Sequence, residues 1–335
     1  MRKLIGFIMI IAALVACKKN NDNPSNPATN NMDSVTMGQG YQNDIYYSLS
    51  DGVVKTQPRT DWDLAFSVPV QTAGIRINEG AGVKFYSYGA ANGWGQTFDT
   101  TGIDHWTALY NDKANWINGA FNRNTDASNP FNYGWGTYDM GTHNVYADST
   151  YVIVLPDGSY KKFFVKKKNG YTDSYVFSWA DLNGSNMEQD SVVGAGYPNK
   201  NFIYYSLANK MTIDREPDMS TWDLLFTQYV EKVPYGPGMY LDYEVMGVLT
   251  NDSIQTAMVP HAADQADYSM ATFQSDHNVI GWDWKVFDQN TYTYSLATDT
   301  TYFVKQTDGS VYQLNFTDFG GSATGKVVFE RKKVN

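Results

Sequence analysis

The chain has 335 residues, room for about two domains, each large enough for its own core. Aromatic residues make up 15% of it and its 25 Tyr outnumber its 14 Leu, a skew that argues against helical bundles and coiled coils and for β-sheet. A formal charge of −10 argues against a nucleic-acid binder, which needs a broad basic face.

Arg2 and Lys3 precede an apolar run from Leu4 to Ala16 that ends at Cys17, the only cysteine. The run has the length of a secretory h-region and is too short to span a membrane as a helix. Leu14-Val15-Ala16-Cys17 resembles the bacterial lipobox, which implies that residues 1–16 are a signal peptide and that the Cys17 thiol carries lipid. Cleavage would remove Arg2 and Lys3 and take the net charge from −10 to −12. Residues 17–40 then read as a lipidated cysteine and a flexible tether, because Asn20-Asn21-Asp22-Asn23-Pro24-Ser25-Asn26-Pro27 has no apolar periodicity. Directly after Lys18-Lys19, up to Pro27, only Asp22 is acidic, so the acidic run that marks display on the outer surface is poor.

Beyond the tether the chain repeats itself. Ile45-Tyr46-Tyr47-Ser48-Leu49 returns as Ile203-Tyr204-Tyr205-Ser206-Leu207, and Trp62-Asp63-Leu64-Ala65-Phe66 as Trp222-Asp223-Leu224-Leu225-Phe226. Tyr133-Gly134-Trp135 matches Ile280-Gly281-Trp282, and the Asp157-Gly158 and Asp308-Gly309 turns match between β-rich runs. Blocks in the same order mean a duplicated domain of about 150 residues. We place the first copy at residues 41–190 and the second at 191–335, each expected to fold alone. The alternation of Trp62, Leu64 and Phe66 with Asp61, Asp63 and Ala65 predicts a strand, with the carboxylates on a solvated face. Asp-Gly between β-branched and aromatic runs predicts hairpins. Short helices are expected around 104–115 and 261–273. The fold class is all-β, with a few short helices.

The order Trp-Asp-Leu-Ala-Phe, Ile75-Arg76-Ile77-Asn78, Gly134-Trp135-Gly136-Thr137-Tyr138-Asp139-Met140, Asp-Gly hairpin and final Val-Phe strand resembles the HmuY family, haem-binding lipoproteins of Bacteroidota. The resemblance covers most of residues 43–333, once per half, through short apolar motifs. It implies two tandem β domains, attachment to the outer membrane, and haem (heme) held between axial His or Met side chains. It also implies a place in iron acquisition, with transfer to a TonB-dependent outer-membrane transporter.

Imidazole and thioether groups are suitable axial donors. The richest cluster is Met258, His261, Met270 and His277, with Tyr268, Phe273 and Trp282 as ring walls, and His105 is a further candidate ligand. The alternatives are surface histidines and methionines that merely pack. His143, just after the Gly134–Met140 run, is set aside. The lysines from Lys161 to Lys168 could meet propionates or acidic lipid, but read as a solvated edge strand. Trp94 and Trp106 could stack on a sugar or fold back over the core, so a surface glycan- or protein-binding lipoprotein is the competing reading. There is no Gly-x-Ser-x-Gly, His-Glu-x-x-His or P-loop, and no catalytic activity is expected.

The lipobox reading is tested by Cys17→Ser, which is expected to move the protein from the membrane fraction to the soluble one. Sedimentation of the variant with membranes at high salt would overturn it.

Overall fold

The computed structural model describes residues 31–69 and 71–335, so the signal segment and Cys17 lie outside the described residues. The described chain is mainly β, as the composition implies, with one four-residue α-helical turn at Gly321–Thr324. The helices expected around 104–115 and 261–273 shrink to 3-10 turns at Ile103–His105 and Tyr268–Met270.

Three stretches of chain supply the strands. The first gives β1 (Asn31–Thr36), β2 (Asn43–Ser48) and β3 (Gly52–Pro58). The second gives β4 (Leu64–Ser67), β5 (Ile75–Ile77), β6 (Lys84–Ala90), β7 (Gly136–Asp139), β8 (Asn144–Ala147), β9 (Ser149–Val154), β10 (Tyr160–Asn169), β11 (Ser174–Asp181), β12 (Glu188–Val193), β13 (Phe202–Ser206) and β14 (Met211–Ile213). The third gives β15 (Leu224–Gly236), β16 (Met239–Thr250), β17 (Gln255–Val259), β18 (Lys285–Asp288), β19 (Thr293–Leu296), β20 (Thr301–Lys305), β21 (Val311–Phe319) and β22 (Lys326–Lys333). Residues 31–36 thus form a strand rather than tether: Val35 is buried and β1 pairs along its length with β22.

The second stretch packs as one unit. The sheet β14-β13-β4-β5 and the sheet built on β6–β12 enclose Leu64, Phe66, Ile75, Phe85, Phe121, Trp135, Tyr151, Phe163 and Phe177. The first and third stretches together make the other unit. Its sheets β1-β22-β21-β20-β17 and β16-β15-β2-β3 enclose Ile45, Tyr47, Leu224, Phe226, Trp284, Leu314 and Phe329.

The packing units are therefore offset from the repeats. The Ile-Tyr-Tyr strand of the first repeat, β2, pairs with the Trp-Asp-Leu strand of the second, β15. Reciprocally, β13 pairs with β4. Each repeat lends its leading strands to the other's core. Equivalent residues of the two repeats make matching hydrogen bonds. Asn78 donates to the carbonyls of Arg59 and Trp62, and Asn251 to those of Met219 and Trp222. Tyr205 donates to Asp190 and Tyr47 to Asp33, both at 2.6 Å. The structure also shifts one alignment by two residues. Trp284, not Trp282, occupies the buried place of Trp135, each preceding the first strand of a small hairpin.

Asp63 and Asp223 are buried, not solvated, and each accepts a backbone N–H from the strand lent by the other repeat. The lysine-rich β10 is a central strand, between β11 on one side and β9 and β8 on the other. Two of its lysines show how they are accommodated. Lys162 donates to the carbonyls of Trp94 and Gln96, and Lys161 pairs with Asp181.

Between the units, Tyr46, Tyr204, Trp222, Leu225, Trp116 and Phe202 form a shared core. Arg215 is buried there, bonded to Asp44 on β2 at 3.1 Å, to Asp61 at 3.0 Å and to the Pro58 carbonyl. Removing one partner of a buried pair strands the other charge. Arg215→Met is expected to cost about 3–5 kcal/mol in urea unfolding, with part recovered by adding Asp44→Asn. A loss below about 1 kcal/mol would show that the pair does not hold the lent hairpin.

Candidate functional site

Two cavities stand out. One, of about 50 Å³, lies between the units among Arg76, Arg215, Glu79 and Tyr229 and has room only for a few waters. The other, of about 460 Å³, opens at one end of the core built by the second stretch, the first unit, the second unit being the one that the first and third stretches make. It is lined by Tyr133, Tyr138, His143, Val145, Tyr171, Gln71, Thr72, Ala73, Lys168 and Gly170. Its volume lies within the range of small-molecule sites.

The β7–β8 hairpin builds the rim of the larger cavity. Asp139 Oδ1 accepts from the backbone and hydroxyl of Thr142, and the His143 N–H donates to the Asp139 carbonyl. The turn closes with His143 at φ +58°, a left-handed conformation that brings its side chain back toward Tyr138. Tyr138 Oη and His143 Nδ1 are 2.7 Å apart. The His143 ring stands edge-on to Tyr171, 5.5 Å away, and Tyr171 is 76% exposed. Gly170 is required here, because a Cβ would fall 2.0 Å from the His143 carbonyl oxygen. The opposite wall is rigid: Trp135 and Asn122 both donate to the Ala73 carbonyl. Lys168 is held by Asp173 and the Thr72 carbonyl over the face of Tyr175, and burial lowers its pKa.

The second unit keeps this hairpin but not its chemistry. Tyr292 stands at φ +56° with its N–H on the Asp288 carbonyl, in the place of His143, and Phe287 stands where Tyr138 does. No imidazole is offered there.

The ligands expected from sequence are dispersed. Met258 is half exposed on the edge strand β17. Met270 and Tyr268 are exposed on the 3-10 turn that follows, and Phe273 packs against the small cluster of Val259, Phe303 and Val311. His261 is exposed, and its carbonyl accepts from the Thr301 hydroxyl. His277 is only 5% exposed and lies at the boundary between units against Trp116, with Nε2 3.6 Å from Asp252. Trp282 packs into the same boundary core. His105 is exposed at the end of a 3-10 turn. None of these residues lines either cavity. Among the described residues no cluster of three or more His, Cys, Asp or Glu is arranged to hold a metal. Trp94 folds back on Phe164, ring centres 4.6 Å apart, and Trp106 on Tyr86.

No protein-family model matches the chain, and no curated protein matches it. Among solved structures it is similar to a protein provisionally described as a lipoprotein from Bacteroides fragilis, at 13% identity and TM-score 0.22, over 59% of this chain and 94% of that one. A second, from Bacteroides vulgatus, is provisionally described as an HmuY-like heme-binding protein, at 14% identity and TM-score 0.20, over 48% of this chain and 92% of that one. A third is apo PinO from Porphyromonas gingivitis, at 14% identity and TM-score 0.18, over 49% and 92%.

Burial and the nearby Arg76 guanidinium lower the His277 pKa to about 4. The folded state thus resists a proton that the unfolded state accepts below about 6.5. His277 contributes its full share of stability above pH 6.5 and loses it as pH falls to 4. Between those values the wild type is expected to lose up to roughly 3 kcal/mol more than His277→Gln in urea unfolding. Parallel profiles would overturn this assignment.

Proposed function

We propose that the chain is a non-enzymatic, lipid-tethered haem-binding protein, with the ligand seated at the rim of the 460 Å³ cavity in the first unit. The observation that carries this reading is the Tyr138–His143 pair. In the tautomer in which His143 Nδ1–H donates to Tyr138 Oη, Nε2 presents its lone pair, and the contact orients the ring. A histidine so oriented is a suitable axial ligand for haem iron. The rings of Tyr133, Tyr138 and Tyr171, with Val145, supply flat walls for a porphyrin. The proposed donor thus sits in the first repeat, although the sequence pointed to the second. Acylated Cys17 would hold the protein to the outer membrane, and a TonB-dependent transporter would receive the haem.

One feature favours a second reading. Tyr171 presents an exposed ring beside Gln71 and Thr72, which suits stacking on a sugar ring.

Haemin titration followed at the Soret band tests the proposal. A saturable one-to-one shift is expected for the wild type and for His261→Ala. At least tenfold weaker binding is expected for His143→Ala, and a smaller loss for Tyr138→Phe. A wild type that leaves the haemin spectrum unchanged at micromolar concentration would sink the haem reading. Fluorescence quenching by an oligosaccharide, abolished in Tyr171→Ala, would replace it with the glycan reading.

A further inference from the structure

The β15–β16 hairpin extends beyond its sheet, and β16 is the outer strand. Six consecutive residues on β16, Met239 to Glu244, are exposed. Their inner backbone groups pair with β15. Farther along, Val248 exchanges hydrogen bonds with Gly281 on the outer side. By alternation, Tyr240, Asp242 and Glu244 also turn their N–H and C=O groups outward, where nothing in the described chain pairs with them. Edge strands are ordinarily protected by lysine, proline or a bulge. Residues 239–244 of β16 contain no lysine or proline, and β16 itself runs without a bulge.

We infer that this edge pairs antiparallel with the same edge of a second copy, joining two four-stranded sheets into one of eight. A twofold axis makes the contact self-complementary, and the side chains choose its register. Centring the pair on Asp242 would set two carboxylates opposite each other. Centring it on Leu241 sets Leu241 against Leu241 and Met239 against Tyr243. It also sets Tyr240 against Asp242, whose carboxylate is already held by Lys232 at 2.9 Å. The Leu241 pair is then the close, non-hydrogen-bonded kind, and the Tyr240–Asp242 pairs carry the ladder bonds.

The area suffices. Tyr240 and Tyr243 are 65% and 58% exposed. At about 200 Å² per ring they offer roughly 250 Å² per copy. Met239, Leu241 and the edge backbone raise the total to roughly 1,000 Å² over two copies, the threshold of a specific interface.

The chain without its first 17 residues keeps every described residue and contains no cysteine. Sedimentation equilibrium of this protein is expected to show a dimer at micromolar concentration. Leu241→Lys should weaken it at least tenfold, with an unchanged circular dichroism melt. Leu241→Cys tests the register apart from mass and from haem binding. Under mild oxidation it should form a disulfide between copies, because facing residues of such a pair lie within disulfide reach, whereas Glu244→Cys should not. A wild type that is monomeric at 100 μM, or a dimer unaffected by Leu241→Lys, would overturn the inference. Equal cross-linking at 241 and 244 would overturn the register.

Discussion

Asp63 and Asp223 each accept a backbone N–H at the end of the Ile-Tyr-Tyr-Ser-Leu strand that comes from the opposite repeat, from Leu207 at 2.7 Å and Leu49 at 2.6 Å. Burial raises both carboxyl pKa values, and the hydrogen bonds they accept act against that. A carboxylate in this setting costs free energy unless its acceptor sites are filled, and the lent strand fills them. The same aspartates begin the strands that the lent segment pairs with. The Asp63 N–H reaches the Tyr205 carbonyl, and the Asp223 N–H reaches the Tyr47 carbonyl. One residue thus fixes both the arrival of the foreign strand and its register. Neither repeat can fill these acceptors with its own Ile-Tyr-Tyr strand while that strand lies in the other core.

That exchange makes the boundary between units part of the core rather than a surface between neighbours. Tyr46 and Tyr204, equivalent residues of the two repeats, meet there with hydroxyls 3.5 Å apart. Glu216 accepts the backbone N–H groups of Asn201 and Phe202 and so holds the entry to β13, with burial pushing its pKa up to about 7. Arg76 lies across the boundary stack over Trp116 and bonds only carbonyls, those of Asn115, Trp116 and Asp112. Burial lowers its pKa to about 10. Charged groups so enclosed specify one arrangement, because any slippage would leave them without partners.

The strands and the Asp-Gly hairpins were legible because they rest on local pattern: alternation, aromatic and β-branched content, and turn chemistry. The exchange was not. The two Ile-Tyr-Tyr-Ser-Leu segments are identical, so either could pair with either Trp-Asp-Leu strand, and only three-dimensional closure decides. Asp63 looked solvated because period-2 alternation assigns one wet face, whereas this strand is covered on both. Lysines on β10 suggested an edge, but Lys162 is accommodated in a central strand by donating to loop carbonyls. The site was harder still. His143 stood alone in the sequence, five residues from Tyr138, and only a turn with φ +58° makes the two touch. Density of candidate ligands drew attention to residues 258–277, where the fold sends His277 inward and leaves Met258 and Met270 at the surface.

The two copies share a scaffold and differ at its tips. Both hairpins close through an aspartate carbonyl and a left-handed residue, yet one presents Tyr138 and His143 while the other presents Phe287 and Tyr292. Beneath the first hairpin the chain opens into a cavity. Beneath the second, Trp284 stacks on Phe316 at 4.0 Å and Tyr294 meets Phe319 edge-on, filling the end of the unit with rings. Lys285 lies under that cover, bonded to the Met246 and Trp282 carbonyls, its pKa lowered by burial to about 7. Each unit is built partly from the other's repeat, and β13 of the second repeat pairs with β4 of the first. The two ends of the fold thus differ in packing: a cavity lies beneath the hairpin of the first repeat, and stacked rings lie beneath that of the second.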